Sequence, residues 1–528
     1  MKFSKISKNL SYSNGQQNTT SHQKELLHTD LDVNIERIKK ISGSSNDINI
    51  RFLRIGKLGV KMGIIYTDGL VDKKVITDFT TESLRLDIVE MDIEQNNFGN
   101  QNVFDVIKDY ATSVGDIKEV SDFDALFNTI LSGDTVILLA GFSCGISISS
   151  KGWKDRGVTE PSSQSVVRGP KEGFSESLGT NTALIRRKIK DPNLWLETFQ
   201  IGRVTKTDVV IMYINGIAKE KIVKEVRERI NRIDIDGILE SGYIEELIQD
   251  KTFTPFPTVH NTERPDAAAA GLLEGRVAIL VDGTPFVLLV PALFSQFLQA
   301  SEDYYQRWDF ATLLRLIRYL SVFISLLAPS LYIAATTFHQ ELIPTPLLLS
   351  LAANREGVPF PAFVEALLME ITFEILREAG VRMPRAIGQA VSIVGTLVIG
   401  QAAVEAGIVS PAMVIVVSIT AISNFVMPAF NIGISIRILR FALMGLAASL
   451  GLYGITLGLI VIVLHLCSLR SFGVPYMSPL APFNPSDQKD TIFRFPHWAL
   501  FSRPRLISQK NDIREDNEAP QPEPQQNA

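Results

Sequence analysis

Cysteine is almost missing: 528 residues contain only Cys144 and Cys467. One stands in a polar region and the other at the end of an apolar run, so no disulfide framework is expected. Histidine is scarce too. His22, His28, His260, His339, His465 and His497 form neither an HExxH motif nor a Cys/His cluster, which removes support for a structural zinc site. No long basic run accompanies the net charge of −5, so nucleic acid is not an implied partner. No Ser/His/Asp, Cys/His or metal-ligand set is visible, and the reading is not an enzyme and without a cofactor. Gly169–Gly173 lacks the Gly-Lys-Ser/Thr ending and the preceding apolar strand of a phosphate loop. The first 50 residues carry no apolar stretch of signal-peptide type. The N-terminal region is therefore expected to stay in the cytoplasm.

Charge is present but unevenly spread. From Tyr319 to Pro482 only 14 of 164 residues are charged, out of 109 in the whole chain. That split predicts a multi-pass α-helical membrane protein with a large N-terminal cytoplasmic α/β region made of two small α/β subdomains. Residues 1–48 read as a variable, flexible lead with one short helix, and 49–150 as the first subdomain. Residues 151–180 form a Ser/Gly-rich loop centred on Arg168-Gly169-Pro170-Lys171-Glu172-Gly173-Phe174. Residues 181–275 form the second subdomain, with Thr262 or Asp266 placed to cap the alanine-rich helix that follows them. Residues 276–318 are a β-hairpin and junction. Asp282-Gly283 between two six-residue apolar runs favours a hairpin turn over a membrane span with an aspartate at its centre. Residues 319–482 are the membrane domain and 483–528 a polar tail with a disordered, Pro/Gln-rich end.

Within the membrane domain, Tyr319–Gln340 is long enough to cross the hydrocarbon core, and Arg315 and Arg318 before it mark its start as cytoplasmic. Residues 362–379 read as a helix on which Glu370, Glu374 and Glu378 share a face. Either the acids are a solvated interfacial face, or Glu365, Glu370 and Glu374 line a hydrated cation path. Spans are expected at 386–404, within 408–435 and at 441–466, with Asn424 and Pro428 as a candidate helix break and Arg437 and Arg440 as an inside junction. Arginines 377, 382 and 385 favour five spans. The basic residues after Ala481 favour four and an internal tail.

Several stretches carry a family resemblance: Tyr66–Leu70 with Val71-Asp72-Lys73, Arg168–Phe174, Ala183–Ile189, and Thr262-Glu263-Arg264-Pro265-Asp266 followed by Gly271–Pro291. Over about residues 50–485 the chain resembles the A subunit of the GerA-type spore germinant receptors. The resemblance implies a subunit of a nutrient receptor in the spore inner membrane that forms or gates a ligand-dependent cation channel. It implies a transporter-like, nutrient-binding B subunit and a lipoprotein C subunit as partners, homo-oligomerisation and contact with membrane lipid. A non-conducting scaffold or relay subunit is the alternative. A secondary transporter fits less well, since no half-repeats are visible. On this reading Arg168, Lys171, Glu172, Glu263, Arg264, Asp266 and Asp282 are candidates for coupling or assembly, against ordinary capping and turn chemistry.

Overall fold

The computed structural model describes residues 24–55, 60–89, 104, 108, 111, 116–152, 160–161, 164–382, 400–508 and 511–515. These fall into two compact units. The first holds residues up to Ile41 together with Ile48–Gly152, and the second holds Ser42–Asp47 together with the rest.

In the first unit, strands β1 (Ile48–Ile55), β2 (Val60–Thr67), β3 (Ile117–Val120), β4 (Thr135–Leu139) and β5 (Gly145–Ile148) form an antiparallel sheet of order β1-β2-β4-β5-β3. Side chains alternate across it, as the pleat requires. Met62, Ile64, Tyr66, Ile137 and Leu139 face one core, which includes Ile76 and Phe79 of helix α2 (Lys73–Val89). Ile65, Val136 and Leu138 face another, built with helices α1 (Leu31–Ile41) and α3 (Phe123–Ile130). The expectation of a flexible lead over 1–48 is corrected here. Leu31, Ile35 and Ile38 recur at helical spacing and are buried in this core. Residues 1–23 lie outside the described residues.

The second unit contains another five-stranded antiparallel sheet: β6 (Leu194–Ile201), β7 (Thr207–Ile214), β8 (His260–Thr262), β9 (Val277–Val281) and β10 (Val287–Val290), in the order β6-β7-β9-β10-β8. The apolar runs around Asp282-Gly283 pair as β9 and β10, with Leu288 opposite Ile279. They do not form a separate junction after residue 275, because β9 also pairs with β7 and sits in the middle of the sheet. Helices α4 (Leu178–Lys188) and α7 (Pro265–Leu273) cover one face. Helices α5 (Glu220–Asn231) and α6 (Ser241–Ile248) cover the other. Helix α7 is not capped by Thr262 or Asp266: its N-cap is Arg264, and no side chain caps it.

His260 on β8 packs against Phe297, with ring centroids 5.4 Å apart. Burial, with the charge of Arg276 adding to it, pushes its pKa down to about 3. The imidazole is thus held neutral. Stability from this site is complete above the ordinary histidine pKa of about 6.5 and is lost as pH falls toward 3, since only the unfolded state takes up the proton there. We expect His260→Leu to flatten the acid side of the stability–pH curve of the full chain, by on the order of 2–4 kcal/mol. Thermal unfolding followed from neutral to acid pH checks it; parallel curves for the two proteins would refute it.

After β10 the chain becomes helical: α8 (Trp308–Thr337), α9 (Thr345–Arg355), α10 (Ala362–Arg382), α11 (Gly400–Glu405), α12 (Pro411–Phe425) and α13 (Phe430–Ser468). Two of these, α8 and α13, are long and apolar enough to cross a membrane. Helix α8 starts at 308 rather than 319, so Arg315 and Arg318 lie inside it and are buried. They are ion-paired there. Both contact Asp303, at 2.9 and 2.7 Å, and Arg315 also contacts Asp490 at 2.8 Å. The expected junction at Arg437 and Arg440 is likewise the interior of α13. Most of the span expected at 386–404 lies outside the described residues.

Helix α13 is not straight. Gly451 has φ 59° and ψ −141°, values foreign to an α-helix. Ser435, before it, donates its hydroxyl to the Pro255 carbonyl. His465, after it, lies 2.9 Å from the Thr254 hydroxyl. In an unbroken helix these two positions would be about 45 Å apart. The element is therefore a helical hairpin with arms 430–450 and 452–468, turned at Gly451. A side chain at Gly454 or Gly458 would run into Leu446 and Leu443 of the first arm, so small residues permit the close approach. At the tip, a Cβ on Gly451 would lie 2.7 Å from His339 and 3.0 Å from Phe338. We expect Gly451→Val to cost at least about 1–2 kcal/mol in backbone strain alone, and more through these contacts. Lower accumulation and a lower unfolding temperature in detergent are the readouts.

The hairpin tip thus lies beside the C-terminal end of α8, and both of its ends lie beside residues 254–255. The chain beyond it packs on the second sheet. Ser471 donates to the Thr258 carbonyl at 2.7 Å, Arg503 to the Leu273 carbonyl at 2.9 Å, and Ser508 bridges to Ala218. Ile507 is fully buried. The polar tail is docked as far as Ser508; most of the end expected to be disordered, residues 516–528, lies outside the described residues.

Candidate functional site: a buried acid–arginine seam

Helix α10 carries its glutamates at spacings of five and four residues, so three of them meet neighbouring elements at successive levels. Glu365 and Glu370 are fully buried, which the solvated-face reading does not accommodate. Glu365 accepts from the Ser410 backbone N–H at 3.1 Å and the Ser410 hydroxyl at 2.8 Å, and pairs with Arg355 at 3.1 Å. Glu370 pairs with Arg440 at 3.2 Å, with side chains 0% and 1% exposed. Glu374 pairs with Arg377 at 2.6 Å and Arg437 at 3.1 Å, and lies 3.7 Å from Arg440. Charged side chains at this depth require partners, and the arginines supply them.

The Glu370–Arg440 contact is a charge pair without an aligned hydrogen bond. Neither carboxylate oxygen of Glu370 and no guanidinium nitrogen of Arg440 has a hydrogen-bond partner among the described residues. The seam joins α10 to the first arm of the hairpin through charge alone at this level, an arrangement that can exchange partners. Sequence reading found the acids by their spacing and missed the arginines that complete the seam. Arg437 and Arg440 were assigned to a membrane boundary, although their own three-residue spacing is that of one helix face.

Asn424 stands in the last turn of α12, which ends at Phe425, and Pro428 lies in the break before α13 begins at Phe430. The Asn424 side-chain oxygen is buried without a hydrogen-bond partner among the described residues.

The coupling candidates divide. Arg264, 2% exposed, is a hub. Its guanidinium holds Asp266 at 2.8 and 3.0 Å and donates to the carbonyls of Gln164 at 3.1 Å and Pro170 at 2.9 Å. Tyr305, just before α8, donates its hydroxyl to Asp266 at 2.6 Å. Glu263 is buried, and its carbonyl accepts from Phe174 N–H at 2.8 Å. The 164–174 loop, the start of α7 and the lead into α8 therefore meet at one arginine. Glu172 belongs to the edge of this arrangement, near Lys188 and Arg187 at 3.3 and 3.4 Å. Arg168 is exposed and Lys171 makes only a 3.7 Å pair with Glu160. Asp282 is elsewhere, in the β9–β10 turn, accepting from Leu178 N–H at 3.1 Å. Among the described residues no group of three or more His, Cys, Asp or Glu could hold a metal ion.

Comparison with known proteins gives a consistent result. Residues 36–506 match the family model for the Bacillus/Clostridium GerA spore germination protein. Spore germination protein KA of Bacillus subtilis is 52% identical over 500 residues, covering 94% of this chain and 90% of that protein. Spore germination protein A1 of the same organism is 39% identical, covering 94% and 98%. An uncharacterized membrane protein of B. subtilis, YfkQ, is 45% identical, covering 93% and 94%. Among solved structures, the N-terminal domain of the A subunit of the Bacillus megaterium spore germinant receptor GerK3 is 44% identical. It covers 51% of this chain and 98% of that domain, with a TM-score of 0.41.

Proposed function

Because the chain belongs to the GerA family of spore germination proteins, and so to membrane-associated receptor complexes of germination, we propose that it gates cation movement. Its helices would cross the spore inner membrane, with the α/β units in the cytoplasm. It would assemble with further copies of itself, a transporter-like B subunit and a lipoprotein C subunit. The docking of residues 471–508 on the second sheet supports an even number of crossings and a cytoplasmic tail. The observation that carries the reading is the seam of Glu365, Glu370 and Glu374. With every carboxylate held by arginine, this face offers no negative lane. Opening then means partner exchange between α10 and the hairpin, a shift between two pairings that a signal from another subunit can bias.

The test is nutrient-triggered ion efflux from spores carrying the chain and its partner subunits, wild type against Glu370→Gln/Glu374→Gln at matched protein level. Slowed or lost efflux per assembled complex is expected, with lower accumulation because Arg440 is left buried without a carboxylate. Unchanged efflux would favour the relay reading, for which the Arg264 hub is the supporting observation: it ties the 164–174 loop to the lead into α8. On that reading Arg264→Gln, and not the glutamate substitutions, abolishes the response.

A further inference from the structure

The tail segment that wraps the start of α8 leaves an aromatic face uncovered. The wrapping is specific. The Thr312 hydroxyl donates to the Arg494 carbonyl at 3.1 Å and accepts from its N–H at 3.2 Å. Arg494 also lies over the Tyr304 ring, 5.6 Å from its centroid. On this tightly held segment Phe493, Phe495, Trp498 and Phe501 are 51%, 43%, 42% and 49% exposed. Such exposure is anomalous for four large aromatics in nine residues.

Their position supplies the reason. Exposed apolar side chains begin at Trp308, at the start of α8, and Phe310, Leu313 and Leu320 continue them along one side of the helix. The tail meets α8 at Thr312, about one turn from that start, through Arg494. Arg307, exposed at this level, is paired with the exposed Asp309 at 2.8 Å, so the surface here carries aromatic rings without a net charge of either sign from that pair. Aromatic rings beside the foot of a membrane-crossing helix are the pattern of the headgroup region.

We propose that residues 493–501 form an interfacial membrane anchor, in which Phe493, Phe495, Trp498 and Phe501 enter the headgroup region of the leaflet from which α8 departs. The occupant of this surface is lipid, because the aromatic patch is continuous with the exposed apolar side chains of α8. The inference rests on α8 crossing a bilayer, as proposed above.

The full chain, with Trp153→Phe, Trp195→Phe and Trp308→Phe so that Trp498 is the sole tryptophan, is reconstituted into phosphatidylethanolamine/phosphatidylglycerol vesicles. Trp498 is expected to be quenched several-fold more by lipids brominated near the headgroup than by lipids brominated near the chain end, and weakly by iodide. Strong iodide quenching without bromine quenching overturns the anchor and leaves the patch for water or a protein partner. A Trp308-only chain separates the two readings. If Trp308 senses bromine and Trp498 does not, the anchor alone fails; if neither does, the membrane placement of α8 fails with it. Should the substituted chains not fold, tryptic cleavage at Lys489 and Arg505 of the wild-type chain reads the same contact. Slower cleavage in these vesicles than in detergent solution is expected, and equal cleavage refutes the anchor.

Discussion

Arg440→Met is expected to destabilise the helical block by about 3–5 kcal/mol, because it strands a buried carboxylate. Glu370, fully buried, has Arg440 as its ion-pair partner among the described residues, and Glu374 lies close enough to add repulsion. The same reasoning gives a second outcome of opposite kind. Arg440→Met combined with Glu370→Met removes both charges and fills the space with apolar atoms, so stability returns to within about 1–2 kcal/mol of wild type or exceeds it. Unfolding temperature in detergent, measured for both singles and the double, is the check. Additive losses would show that the two residues do not act as a pair. The double variant is expected to be stable yet defective in nutrient-triggered efflux, which separates the seam's contribution to folding from the gating proposed for it.

Asp303→Ala should do comparable damage at the foot of α8, again about 3–5 kcal/mol. Its carboxylate is completely buried between Arg315 and Arg318, accepting at 2.9 Å from the first and at 2.7 and 2.8 Å from the second. Removing it leaves Arg318 buried with the Leu298 carbonyl at 3.4 Å as its remaining contact. Asp490→Ala should cost less, about 1–3 kcal/mol, because Asp490 is 24% exposed and Arg315 keeps Asp303. The ranking, Asp303 above Asp490, is the discriminating result; the reverse order would place the weight of the knot on the tail.

Much of the architecture was legible because it follows from local periodicity. Short apolar runs announce β2 and β4, which are buried on both faces, and Asp282-Gly283 announces the β9–β10 hairpin. The spacing of Glu370, Glu374 and Glu378 announced one helix. What escaped was non-local. Arg315, Arg318, Arg437 and Arg440 look like the flanking cations that mark a membrane boundary, and only tertiary structure reveals their partners, among them Asp490, 175 residues from Arg315. Gly451 sits within an apolar run that reads as one helix, since a single glycine rarely announces a reversal. The extent of the second sheet was also hidden, because which strand neighbours β7 depends on pairing across some 70 residues.

The distance between Arg315 and Asp490 has a consequence for how the protein is made. The first long helix leaves the ribosome well before the residue that completes its ion-pair knot exists. Until then Asp303, only 12 positions away, holds Arg315 alone. The knot and the docking of Ser508 on Ala218 are both completed by the last tenth or so of the chain, and such late long-range closure is the slow part of folding. Synthesis that stops short of residue 490 therefore yields a chain with every preceding helix and an unfinished foot, a natural substrate for membrane proteases rather than a smaller receptor.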